Sequence, residues 1–259
     1  MRRDRPRGRF SRDEGRGRED GRAGRFDPRA RAGQNFSKPT AKKPSASEIA
    51  SAQAEGRQWF TERFAVSRET QARLDLFVRL LTEWQARINL VAPSTVGDVW
   101  HRHVADAISL EHRLPAFSQA VDLGSGGGLP ALVIAACRPE AAVDMIESSG
   151  KKAAFLATAQ REMGVRGRVH AARIEDAEGV LGSADIVTAR ALAPFGDLLS
   201  LVAPHISRET RCFFAKGRSH EQEISDAAAH WRFSMIIHES EVEDDSVVLE
   251  VSEIVARDG

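Results

Sequence analysis

The residues best placed to do chemistry in this chain lie in Val121-Asp122-Leu123-Gly124-Ser125-Gly126-Gly127-Gly128-Leu129-Pro130. An apolar run carrying one acid enters a glycine loop, and the helix-like Ala131-Leu132-Val133-Ile134-Ala135-Ala136 follows at once. Strand, tight turn and helix N-terminus in that order are how an α/β nucleotide site is built. Glycine at 124, 126 and 128 removes the side chains that would keep a flat ligand off the backbone. Asp122 can accept hydrogen bonds from a cationic or hydroxyl-bearing ligand. A second acid, Glu147, ends Val143-Asp144-Met145-Ile146-Glu147. It lies about 20 positions past the loop, where a carboxylate can take both hydroxyls of a ribose; a solvated strand-end acid is the alternative. In Arg173-Ile174-Glu175-Asp176, past the next strand, Ile174 could pack on an adenine face while a backbone amide or the Glu175 carboxylate reads the ring edge.

Three ligand classes compete for such a loop. A phosphate-binding loop needs Lys-Ser/Thr after its glycines, and none follows here. A dinucleotide pattern fits only on Gly126-Gly127-Gly128-Leu129-Pro130-Ala131, which leaves Gly124 unused and sets Asp122 beside a pyrophosphate. S-adenosyl-L-methionine has no phosphate, and its sulfonium, ammonium and ribose diol suit an acid at the strand end better. Glu147 supports an adenosine without choosing between these two ligands. What is missing narrows the chemistry further. After the fourth strand the chain reads Thr188-Ala189-Arg190-Ala191-Leu192-Ala193-Pro194, not the Asn/Asp-Pro-Pro-Tyr/Phe that grips an exocyclic amine. Cys137 and Cys212 fit no nucleophile motif, metal spacing or disulfide framework. His101, His103 and Asp106 suggest a metal site, but on a helix only His103 and Asp106 could cooperate. With no third ligand, no metal is expected.

The elements that must position these groups follow from periodicity. Over 69–89 the apolar residues Leu74, Phe77, Val78, Leu81, Trp84 and Ile88 recur at helical spacing. A second helix is predicted over 97–112, with Val99, Val104, Ile108 and Leu110 inward, and the two form a cap within residues 47–115. Predicted strands at 118–123, 142–147, 167–171, 184–189 and 211–216 alternate with helices at 130–137, 150–164, 194–204 and 220–230. Ser219 with Gln222 three residues on predicts a capping box for the last helix. Such alternation argues for a doubly wound parallel sheet across 116–259. The strand-like runs 232–238 and 246–255 have only the acidic turn 239–245 between them, so they must pair antiparallel at the sheet edge.

Net charge is zero, but unevenly spread. Residues 1–45 carry 15 Lys/Arg against 6 Asp/Glu, a balance of +9, and the other 214 residues carry 22 against 31, a balance of −9. After Met1 the only large apolar residues of the first stretch are Phe10, Phe26 and Phe36. Residues 1–46 are therefore predicted to be a disordered basic tail. Its Arg-Gly repeats suit phosphate contacts and guanidinium stacking on RNA; a solubilising tail is equally open. No apolar run approaches the roughly 20 residues that cross a bilayer, and no secretory signal is present, so a cytoplasmic protein is expected.

Several blocks together carry a resemblance. They are Ile88-Asn89-Leu90-Val91, Arg102-His103-Val104-Ala105-Asp106-Ala107, the glycine loop with Asp122 and Pro130, Ser148-Ser149-Gly150-Lys151-Lys152, Thr188-Ala189-Arg190-Ala191-Leu192-Ala193 and Ala215-Lys216-Gly217. From about 74 to 217 the chain resembles the bacterial 16S ribosomal RNA (guanine-N7) methyltransferases, the glucose-inhibited division protein B family. The resemblance implies a class I S-adenosylmethionine-dependent methyltransferase (Rossmann-like) sheet, with an antiparallel C-terminal edge pair and an N-terminal helical cap. It implies that Gly124 and Leu129 line the donor, Ile174 and Glu175 contact the adenine, and Arg190 completes the pocket. The family more often has Ser at 189 and Asp at 147, and its pattern does not include the tail. The implied partner is 16S ribosomal RNA or the small ribosomal subunit, met by a monomer. Guanine N7 needs no base to remove a proton, which fits a chain with no evident general base.

Three basic residues have two readings each. Arg190 holds the donor and orients the base, or forms an ion pair with Glu175 or Asp122. Arg102 touches RNA or joins a helix-to-sheet hydrogen-bond network with His103. Lys216 meets RNA phosphate or is an ordinary surface lysine. The alternatives for the whole chain are an NAD(P)-dependent oxidoreductase and an RNA-binding assembly factor with the fold but no turnover.

Overall fold

A computed structural model describes residues 44–257; all but the last three residues of the predicted tail lie outside them. Ser45 opens the first helix, α1 (Ala46–Arg63), with a reciprocal capping box to Glu48. Sequence periodicity did not mark α1, because its contacts are aromatic rather than periodic. Phe60 meets Phe64 at 5.1 Å and Trp100 at 5.2 Å between ring centroids. α2 (Arg68–Gln85) is the helix predicted over 69–89, ending earlier. Gln85 ends it as a clamp: its carbonyl accepts from the Leu90 and Val91 amides and its amide donates to the Val91 carbonyl. A π-helical turn (Trp100–Val104) then leads into α3 (Ala105–Glu111).

The sheet follows: β1 (Gln119–Leu123), α4 (Ala131–Cys137), β2 (Ala142–Ile146), α5 (Gly150–Met163), β3 (Val169–His170), α6 (Glu178–Leu181), β4 (Ile186–Arg190), α7 (Phe195–Val202), β5 (Arg211–Lys216), α8 (His220–Ala228), β6 (Trp231–Glu239) and β7 (Val247–Ala256). Spatial order is β3-β2-β1-β4-β5-β7-β6. The first five strands run parallel, and β7 pairs antiparallel with both β5 and β6. An antiparallel strand inserted beyond the fifth separates this sheet from the 3-2-1-4-5-6 order of the dinucleotide folds. The short α6 was not anticipated. The capping box predicted at Ser219 does not form: the Ser219 hydroxyl donates to Glu223 Oε1 at 2.6 Å.

The two-residue period of the strands sorts side chains between two cores. Ala120, Val143, Ile186, Phe213 and Val248 face the cap helices with α4 and α5. Val121, Val187, Ala189, Cys212, Phe214 and Leu249 face α6, α7 and α8. Phe213 and Phe214, neighbours on β5, are both fully buried on opposite faces, each contributing about 2–3 kcal/mol. No helix among the described residues is long and apolar enough to cross a membrane.

Candidate donor and acceptor site

The parity that sorts the cores also aims the polar residues. On β4, Thr188 and Arg190 share the face of Ile186 and so point toward the cap; on β1, Asp122 shares the face of Ala120. Asp122 lies inside the sheet, 1% exposed, and its Oδ1 accepts from the Thr188 hydroxyl at 2.6 Å. Its Oδ2 is buried with no hydrogen-bond partner among the described residues. Burial pushes its pKa up to about 6, against the opposing Thr188 bond. The acid read as a ligand acceptor at the strand end is thus an interior group with one free oxygen.

The loop beyond it needs glycine for two different reasons. Gly128 has φ +79°, and a Cβ there would sit 2.5 Å from Leu132 Cδ1. Gly127 lies under the clamped segment, where a Cβ would come within 2.9 Å of the Leu90 carbonyl oxygen. Glu147 holds the loop from the other side: Oε2 accepts from the Gly126 amide at 2.9 Å and Oε1 from the Ser149 amide at 2.7 Å. It is buried rather than a solvated strand-end acid, and each oxygen keeps a lone pair for a ribose hydroxyl. Leu129 is buried beside the loop. Ile174 and Glu175 form a 3-10 turn after β3, Ile174 half-buried against the second core and Glu175 exposed. The free Asp122 oxygen, the bare glycine backbone and the spare Glu147 lone pairs fit a ligand with a cationic group and a ribose diol.

Arg190 does not pair with Glu175 or Asp122. Its Nη1 donates to Asp106 Oδ2 at 2.8 Å and its Nη2 to His103 Nδ1 at 2.7 Å. A guanidinium can only donate, so His103 carries its proton on Nε2, which donates to Thr95 Oγ1 at 2.8 Å. The Thr95 hydroxyl in turn donates to the Ala92 carbonyl. Burial, then Arg190 and Arg102, lower the His103 pKa to about 4. Burial pushes Asp106 upward while Arg190 opposes it. His103 and Asp106 therefore do cooperate, on a guanidinium. Immediately after Arg190 the chain turns at Ala191, φ +51°, a strained conformation for a residue with a side chain. Leu192 then lies over the loop, 2.6 Å from where a Gly124 Cβ would stand.

Lys216 occupies neither place read for it. Its side chain is 8% exposed, and Nζ donates to the Ala193 carbonyl at 2.6 Å and to Glu223 Oε2 at 2.8 Å. Parity explains this, since Lys216 follows Cys212 and Phe214 on the α7–α8 face. Burial raises the Glu223 carboxyl, but the bonds from Lys216 and Ser219 outweigh it and hold the pKa low. Arg102 pairs with Glu243 at 3.0 Å. Arg102, Asp106, Arg113, Arg190 and Glu243 line a cavity of about 230 Å³ at the C-terminal ends of β4 and β5. Asp106 was paired with His103 in the sequence only as a rejected metal ligand, and Thr188 and Leu192 stood in a quoted block without a role; Thr95 carried no signal. The parity of Thr188 with Arg190 was the clue available for the β4 face.

The sequence model of the family described as rRNA small subunit methyltransferase G matches residues 70–246, which takes in the clamp, the loop, Glu147, Arg190 and all of the cavity lining but Val247 and Val248. A protein of Rhizobium etli named ribosomal RNA small subunit methyltransferase G is 47% identical over 194 residues, covering 73% of this chain and 95% of its own length. One of the same name from Brucella ovis is 42% identical over 193 residues, covering 73% and 91%. With likeness of that extent over the segment that builds the loop and anchors Arg190, the chain belongs to the rRNA small subunit methyltransferase G family.

Proposed function

We propose that this chain transfers the methyl group of S-adenosyl-L-methionine to N7 of a guanine in 16S ribosomal RNA. The observation that carries the reading is the doubly anchored Arg190, at the strand ends next to a loop in which Gly127 and Gly128 leave no room for a side chain. When bound, the donor supplies an electrophilic methyl on a sulfonium. Gly124, Gly126 and Leu129 admit it to the backbone, Glu147 takes its ribose hydroxyls, and Ile174 and Glu175 meet the adenine. Arg190 keeps N–H donors beyond those used on Asp106 and His103, and they orient the base through O6 while leaving N7 open. Transfer to N7 would form the bond to the methyl carbon as the carbon–sulfur bond broke, and would leave the positive charge on the purine. Asp106, by cancelling the Arg190 charge, keeps the site from opposing that transfer.

No proton has to leave N7, so holding it in line with the methyl and the sulfur supplies most of the acceleration. The groups present are consistent with that economy. His103 has its Nδ1 committed to Arg190, and burial pushes both thiols, Cys137 and Cys212, up to about 12, which removes them as nucleophiles. N7 lies on an edge that an RNA duplex hides in its deep groove, so the target guanine sits in a loop or an opened region. The test is transfer from labelled S-adenosyl-L-methionine to small-subunit RNA and subunits from cells lacking the protein, followed by borohydride and aniline cleavage at N7-methylguanine. One cleavage position is expected. Incorporation without cleavage would discard N7, and no incorporation would discard the reading.

A further inference from the structure

Three arginines, two of them flanking α3 and one after β5, converge on one short turn. Arg102, in the π-helical turn before α3, meets Glu243 at 3.0 Å; Arg113, after α3, meets Glu241 at 2.9 Å; Arg218, after β5, meets Asp245 at 2.8 Å. All three carboxylates belong to the β6–β7 turn, and Arg102, Arg113 and Glu243 also line the 230 Å³ cavity that Arg190 enters. The pairs are wet: the arginine side chains are 51%, 35% and 85% exposed. Ion pairs so exposed each contribute little and exchange readily. A phosphate offers a guanidinium the same paired oxygens as a carboxylate, with more charge. The turn is also self-contained: the Ser240 hydroxyl accepts from the Val242 and Glu243 amides, and the Ser240 amide donates to the Ser246 carbonyl. It can therefore leave the arginines without unravelling.

We infer that Arg102, Arg113 and Arg218 form the rim on which the RNA backbone docks, and that the β6–β7 turn holds the places its phosphates take. The inference rests on the proposed function, since it needs an RNA acceptor. It also meets an electrostatic problem, because the chain beyond residue 45 has a balance of −9 and repels RNA except where arginines are grouped. Carboxylates that must be displaced weaken every RNA that cannot engage the whole rim, which serves selection more than affinity.

The experiment uses the full-length chain in four forms: wild type, a turn variant (E241Q/E243Q/D245N), a rim variant (R102Q/R113Q/R218Q), and a charge control (E55Q/E62Q/E140Q). RNA affinity is measured against salt on 16S RNA and on an unrelated RNA of equal length, with S-adenosylhomocysteine affinity as a check on folding. The turn variant is expected to bind both RNAs about tenfold more tightly, gaining most on the unrelated one, while the control changes little. The rim variant is expected to lose affinity, with its log–log salt slope shallower by about 3. A turn variant that binds no tighter than wild type or than the control, with donor affinity intact, would overturn the inference, as would an unchanged slope in the rim variant. Failure of the wild type to methylate any small-subunit RNA would instead overturn the proposed function.

Discussion

At the β1–β2 end of the sheet the acids are held by groups that do not exchange: Glu147 by the amides of Gly126 and Ser149, Asp122 by the Thr188 hydroxyl. At the β4–β5 end the basic side chains around the cavity are held by carboxylates: Arg190 by Asp106, Lys216 by Glu223, Arg102 by Glu243. Backbone amides cannot be displaced by salt or by phosphate, whereas exposed side-chain pairs can. On the proposed reading, the half that takes the donor is held in place before anything binds. The half proposed to meet the acceptor grades outward, from the enclosed Arg190 and Lys216 pairs to the exposed arginine rim inferred to dock RNA.

The sharpest way to break this comparison is at Arg190, where the two halves meet. Arg190→Ala is expected to lower kcat/KM for methyl transfer about a thousandfold while S-adenosylhomocysteine still binds. Arg190→Lys should restore little, since a shorter side chain with a point charge lacks the planar fork that spans Asp106 and His103 and still leaves N–H groups for the base. An alanine variant that lost donor binding instead would move Arg190 into the donor half.

Asp122 is the next handle. Its folded carboxyl titrates near 6, above its ordinary 3.8, so the folded protein keeps a proton that the unfolded chain has lost between those values. Its stabilising share is full below about pH 4 and is lost as pH rises through 6, a swing on the order of 3 kcal/mol. Urea unfolding of wild type and Asp122→Asn across pH 4 to 8 should show the wild type losing ground to the variant up to pH 6 and holding level above it. A constant difference would contradict the buried, half-partnered carboxylate.

Gly128→Ala forces a side chain onto a φ of +79° and against Leu132, and should cost about 2 kcal/mol in denaturant unfolding. At Gly126, φ +51° with nothing nearer than 3.6 Å to a Cβ, alanine carries the backbone strain alone and should cost less. Equal losses would show that crowding at Leu132 is unimportant. Smallest of all, Glu147→Gln keeps the shape but removes the charge behind two amide bonds. Donor affinity measured by calorimetry should fall about tenfold, with its salt dependence unchanged.

What the sequence revealed and hid follows the range of the interactions. Strands and the glycine loop are local patterns, so the sheet, its antiparallel edge and the loop were legible from apolar runs and glycine spacing. The partners of Arg190 were not, because Asp106 and His103 lie 84 and 87 residues away on a helix whose approach to β4 is set by packing. Lys216 was misread as a surface group although its parity with Phe214 already pointed it at α8. Ser219 shows the limit of motif matching: the right residues stood at the right spacing, yet its ψ of 2° is not the extended backbone a cap needs, so its hydroxyl accepts from no helix amide and donates to Glu223 instead.

The most direct test of the division into two halves is the salt dependence of two affinities of the same protein. S-adenosylhomocysteine and 16S RNA would each be titrated at a series of sodium chloride concentrations. Donor affinity should stay level while RNA affinity falls steeply with a slope of several ions. Parallel losses of both, or an RNA affinity indifferent to salt, would contradict the account.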